Sequence, residues 1–145
     1  LKKFFVMMAV CCSFFLFSGN ANAADSTVMW QYKNTVVQFA NPFTDQLLYA
    51  LTIGDYDRFQ SNISSKMKTA MPASAFNTMA STLKGRYGTF QRKEVIGVEL
   101  LENYIVVDYK GFFSKQTDPI LMRVTLEQDN GRTRVGGLWF NEFSH

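Results

Sequence analysis

Residues 54–90 read GDYDRFQSNISSKMKTAMPASAFNTMASTLKGRYGTF, and this stretch decides the fold. It opens on Gly54, a residue that ends helices because it tolerates a left-handed backbone. Asp55 restarts one: its carboxylate can accept from the free amides around Asp57 and Arg58 and suits the positive end of the helix dipole. Phe59 and Ile63 are the inward positions of that turn. Met67 and Met71 fit a further helical turn, which Pro72 breaks. From Ala73 the apolar residues Phe76, Met79, Ala80, Leu83 and Tyr87 recur with a period of about 3.6. That spacing predicts an amphipathic helix closed by Gly85 and Gly88.

Towards the N-terminus the helical pattern continues. Val28, Met29, Tyr32, Val36, Phe39 and Ala40 recur at three- and four-residue steps, with Ser26 placed to cap the start. Asn41-Pro42 interrupts, either as the cap and first residue of a new helix or as a kink in one long helix. Phe43, Leu47, Leu48, Ala50 and Leu51 carry the apolar stripe on to Gly54. Residues 1–23 have the three parts of a secretory signal: Lys2 and Lys3, an apolar run from Phe4 to Phe17, and the small-x-small site Ala21-Asn22-Ala23. The run is shorter than the roughly 20 apolar residues of a membrane-spanning helix. The expectation is cleavage after Ala23, a domain over residues 24–145, export to the periplasm or medium of a bacterium, and no stable membrane insertion afterwards.

After Gly88 the period changes to two, with β-branched and aromatic enrichment. Four strands are expected: Thr89 to Leu101, Tyr104 to Phe113, Ile120 to Gln128, and Arg132 to Phe143. Glu102-Asn103 and Asp129-Asn130-Gly131 form the turns. Gly97 and Gly136-Gly137 mark bulges. Ile105, Val107 and Tyr109 share one face with Ile120, Met122, Val124 and Leu126; Asp108, Arg123, Thr125 and Glu127 take the other. Helices followed by a meander predict an α+β fold, with N-terminal helices packed on a curved antiparallel sheet of about four strands that encloses a cone.

Cys11 and Cys12 both lie in the signal segment, so the remaining chain has no thiol for catalysis or metal binding. The single histidine is His145, so neither a Ser-His-Asp triad nor a multi-histidine zinc site can be assembled. No cofactor and no metal is expected. The formal charge of +3 counts Lys2 and Lys3, which leave with the signal. What remains is no footprint of a nucleic-acid binder.

The pieces Gly54-Asp55-Tyr56, Met67-Lys68, Met71-Pro72 and Tyr87-Gly88-Thr89-Phe90 resemble the DUF3887 family, within the NTF2-like (cystatin-like) superfamily. Val135-Gly136-Gly137-Leu138-Trp139-Phe140 is similar to the closing strand of that superfamily. The resemblance covers about residues 43–143 and implies the cone fold, without implying any one activity.

Three functions follow. The first is an exported, non-enzymatic module that binds a small apolar ligand or a protein partner, with Phe76, Met79, Tyr87, Phe90, Tyr109 and Trp139 lining the pocket. The second is a small isomerase or dehydratase using a buried carboxylate and a Tyr in the cone, drawn from Asp55, Asp57, Asp108, Tyr56, Tyr87, Tyr104 and Tyr109. The third is a structural module that forms a homodimer through its sheet. Asp55 and Asp57 are better explained as helix-start residues, and Asp108 as part of a polar strand face, so the reading leans away from an enzyme. Lys66, Lys68, Arg86, Arg92 and Lys93 form a basic set that reads as a solvated face.

Overall fold

A computed structural model describes the backbone of residues 21–142 and the side chains from residue 31; residues 1–20 and 143–145 lie outside the described residues. The expected signal segment therefore falls almost wholly outside them. Helix α1 runs over Ala21–Ile53 as one element with Pro42 inside it, the second of the two arrangements open at Asn41-Pro42. Pro42 removes one amide donor, yet the helix continues because Leu47, Leu48, Ala50 and Leu51 beyond it are buried against the rest of the protein. Further towards the N-terminus Val36 and Ala40 are buried, whereas Tyr32 and Phe39 are exposed. Among the described residues no helix is long and apolar enough to cross a membrane.

Gly54 has a positive φ of 73° and ends α1. Asp55 then caps α2 (Tyr56–Gln60), its Oδ1 accepting from the Arg58 amide at 3.0 Å. Ser64 caps α3 (Ser65–Ala70), its Oγ accepting from the Met67 amide. Helix α4 (Ala73–Arg86) begins after Pro72 and buries Phe76 and Leu83. Gly88, with a φ of 85°, turns the chain into the sheet.

The sheet is a four-stranded antiparallel meander in the order β1 (Phe90–Leu100), β2 (Tyr104–Phe113), β3 (Ile120–Asp129), β4 (Arg132–Glu142). Asn130 and Gly131, with φ values of 52° and 76°, make the tight β3–β4 hairpin, as two-residue loops of this handedness do. Bulges fall at Val95/Gly97 in β1 and opposite Thr125/Leu126 in β4, where the glycines predicted them, and a further irregularity at Phe90/Arg92 has no glycine to announce it. The free edge of β4 is covered at one point. Ile63 bridges Val135 in parallel fashion, with Ser64 N–H donating to Val135 O at 2.8 Å and Val135 N–H donating to Asn62 O at 2.9 Å. The segment between α2 and α3 thus ties the helical layer to the sheet edge.

The core lies between the helices and one sheet face. Phe59 and Phe76, with ring centroids 4.9 Å apart, meet Val107, Tyr109, Met122, Val124 and Leu126 of the sheet, all fully or almost fully buried. Aromatic pairs of this geometry add about 0.5–1.5 kcal/mol beyond their area. The fold is α+β, with the helices on one face of the curved sheet.

Candidate functional site

The cone is filled by side chains. Phe76 is fully buried between Tyr56 and Phe59. Met79 is half-buried against the core. Tyr87 is buried, its ring 5.8 Å from Phe113, and Phe90 meets the same Phe113 ring at 5.6 Å. The gap beside Phe90 holds only about 120 Å³, between Leu48, Leu51, Ala80, Leu83 and Phe113. Ligand pockets generally run from about 300 to 1,000 Å³.

Tyr109 is fully buried, and its hydroxyl donates to Asn41 Oδ1 at 3.3 Å and shares a 3.2 Å hydrogen bond with Thr44 Oγ1. Burial pushes its pKa up; the Thr44 bond pulls it back, and the nearby Asp45 charge adds a smaller upward push. The phenol therefore stays neutral, held by a hydroxyl and an amide with no carboxylate partner. Lys93, expected among a surface basic set, instead lies over the Tyr109 ring at 5.5 Å and pairs with Asp45. The β1 bulge at Val95/Gly97 accounts for this. Lys93 and Val95 precede it and share the inner face with Tyr109, while Val98 and Leu100 follow it and share that face with Val107 and Ile105.

The other candidate acid–base groups have structural partners. Asp57 accepts from the Gln60 amide. Tyr56 donates to Met71 O at 3.1 Å. Asp108 receives Arg123 Nε and Nη2 at 2.7 and 2.8 Å, a bidentate pair across the β2–β3 register. That pairing raises the Arg123 pKa above its usual range. Arg92 pairs with Glu94 and lies over Phe112, and Arg86 pairs with Glu142 at 2.7 Å, so the basic set does not form one patch.

Trp139 requires a correction. It was expected inside the cone, but Leu138 and Phe140 take the inward positions of β4, and Trp139 between them points to the opposite face, 50% exposed. The paired glycines explain its seat. Gly137 lies on that outer face, and a Cβ there would fall inside the Trp139 indole, so the ring folds back flat over the strand. Gly136 does the same for another residue: a Cβ would come within 2.6 Å of Glu127 Cδ. Glu127, expected on a solvated strand face, is only 9% exposed.

Two open cavities flank this bulge. One, of about 460 Å³, is lined by Trp139 with Leu101, Val106, Leu121, Thr125, Asn141, Glu99 and Arg123. The other, of about 500 Å³, lies at the hairpin end of the sheet; Glu127, Lys66, Tyr104, Ile105, Leu126, Gln128 and Thr133 are among its walls. Leu101 borders both. In the sequence Trp139 and Tyr104 point to other roles, and Glu127, Leu101 and Leu121 do not stand out. The signal it contained was Gly136-Gly137: two adjacent strand positions without side chains leave room for two neighbours. Among the described residues no group of three or more His, Cys, Asp or Glu is placed to hold a metal ion.

No family model and no curated protein matches this chain. Among solved structures, it is similar to a protein of Thiobacillus denitrificans provisionally described as a calcium/calmodulin-dependent protein kinase type II association domain. The TM-score is 0.51 at 13% identity, over 70% of this chain and 93% of that one. Identity this low makes the likeness one of fold, and the shared fold is the NTF2-like arrangement of helices on one open antiparallel sheet.

Proposed function

We propose that this protein is an exported, non-enzymatic module of the DUF3887 family that associates with a second copy of itself through the outer face of its sheet. The observation that carries the reading is the contrast between a filled cone and an outer face with a half-exposed Trp139 beside Leu101, Leu121 and the buried Val106. A large aromatic on the wall of a surface groove is a common anchor of a protein interface. Four strands of ten or eleven residues, rising about 3.3 Å per residue and spaced about 4.8 Å apart, present roughly 600 Å². Each partner in a standard interface contributes roughly 800 Å². The structural neighbour is described as an association domain, which supports assembly as the role. Export to the periplasm or medium rests on the signal pattern of residues 1–23.

A small apolar ligand inside the cone fits less well, because the inner aromatic residues fill the space it would need. An isomerase-like site fits less well too, because the buried Tyr109 hydroxyl bonds to Thr44 and Asn41. Sedimentation velocity across a concentration series tests the reading. A dimer that dissociates on dilution is expected. A monomer at every concentration up to the order of 100 μM, a dissociation constant weaker than about 5–6 kcal/mol of association, contradicts it.

A further inference from the structure

We infer that the cavity around Glu127 binds a small organic cation, a primary ammonium carried on an apolar body. Buried carboxylates are rare unless a partner compensates for lost water. Glu127 is nine-tenths buried with its carboxylate still open to the cavity, and its one ion-pair partner among the described residues is Lys66, 3.9 Å away. That separation exceeds hydrogen-bond reach. The Lys66 side chain is 81% exposed and extends from the surface of α3, so it is readily displaced. The carboxylate thus has unused acceptor capacity for one well-placed ammonium, which donates three hydrogen bonds.

The surroundings fit such a ligand. The cavity measures about 500 Å³ and has Leu101, Ile105 and Leu126 among its walls. This lies within the range of small-molecule sites and gives an apolar body a surface to cover. Gln128 Nε2 donates to Thr133 Oγ1 at 2.9 Å, so these two polar groups already pair with one another and leave Glu127 as the buried charged anchor of the cavity. The cavity's other carboxylate, Glu102, is exposed, and two carboxylates suit an ammonium better than a metal ion, which needs several oxygen ligands at once. Gly136 sets the position of the carboxylate, since a methyl group there would overlap it.

The test is a ¹⁵N chemical-shift titration of the protein with 2-phenylethylammonium, and with 3-phenylpropionate as the matched anion. Expected are saturable shifts at residues around Glu127 with the amine and none with the carboxylate. Glu127→Gln weakens the amine at least tenfold, and Gly136→Ala weakens it by displacing the carboxylate. Lys66→Ala changes an exposed residue that the fold does not need, and it tightens binding several-fold by removing the competing ammonium. No saturable shift, an equal response to 3-phenylpropionate, an unchanged affinity in a folded Glu127→Gln variant, or weaker binding in Lys66→Ala would each overturn the proposal.

Discussion

The two faces of the sheet treat their aromatic residues differently. On the inner face Tyr109 is buried against Thr44 and Asn41 of α1, Phe113 packs on Tyr87 and Phe90, and Phe76 of α4 packs between Tyr56 and Phe59 in the same core. On the outer face Trp139 lies over a bare strand, supported by a glycine, with half its surface in water. Inner aromatics stabilise the fold, and their neighbours leave only a small gap. The outer one adds little to folding that a smaller residue would not, so it is available for contact. The difference shows that aromatic content alone does not locate a binding site. What separates the two roles is whether the neighbouring layer closes over the ring.

This contrast can be broken by substitution, beginning with the largest effect. Phe76→Ala removes a fully buried ring from between Tyr56 and Phe59. Urea denaturation should show a loss of about 3–5 kcal/mol; a loss below about 1 kcal/mol would mean that the inner face is not the tightly packed one. Tyr109→Phe keeps the ring but leaves Asn41 Oδ1 and Thr44 Oγ1 without the phenol. Thr44 keeps its bond to Ala40 O and Asn41 is half-buried, so the expected cost is that of ordinary hydrogen bonds, about 0.5–1.5 kcal/mol, and an unchanged midpoint would count against the buried polar cluster. Asp55→Ala removes the α2 cap. It should cost about 1 kcal/mol, measurable as a shift in thermal midpoint.

The smallest effect concerns pH. Asp129 accepts from the Ser65 backbone amide and hydroxyl, both at 2.9 Å. Those bonds lower its pKa from the usual 3.8, the backbone bond most, with Arg134 and Lys68 adding to the shift. A depressed folded-state pKa contributes stability that is present above the unfolded value and lost as pH falls through the folded one. The protein should therefore lose this small contribution below a pH of about 3.8, the unshifted value. Asp129→Asn should flatten that part of a stability-against-pH curve. A curve of identical shape in the variant would remove Asp129 from the account.

Much of the fold was legible because local chemistry specifies it. The Asp55 cap, the left-handed Gly54 and Gly88, the Asn130-Gly131 hairpin and the Gly97 bulge each need only neighbouring residues to be read. The parity of β2 and β3 was equally clear, since neither carries an internal bulge residue. The site was less legible for the same reason in reverse. A bulge breaks the period of two, so β1 and β4 offered no clear face from sequence: Lys93, read as part of a solvated basic set, lies under α1, and Trp139, read as pocket lining, lies outside. Glu127 looked like an ordinary polar strand residue. Its burial depends on Gly136, which lies on the neighbouring strand and offers no side chain to displace it. The Ile63–Val135 bridge joins segments far apart in sequence, and no local pattern announces it.

The association surface is tested most directly by the dimer dissociation constant of Trp139→Arg beside that of the wild type, both by sedimentation velocity. An interface anchor contributes about 2 kcal/mol or more, so the substitution should weaken association at least about thirtyfold. Its thermal midpoint should stay close to that of the wild type, because Trp139 is half-exposed and outside the core. A wild-type dimer that persists unchanged in Trp139→Arg would contradict the account and place the contact elsewhere on the molecule.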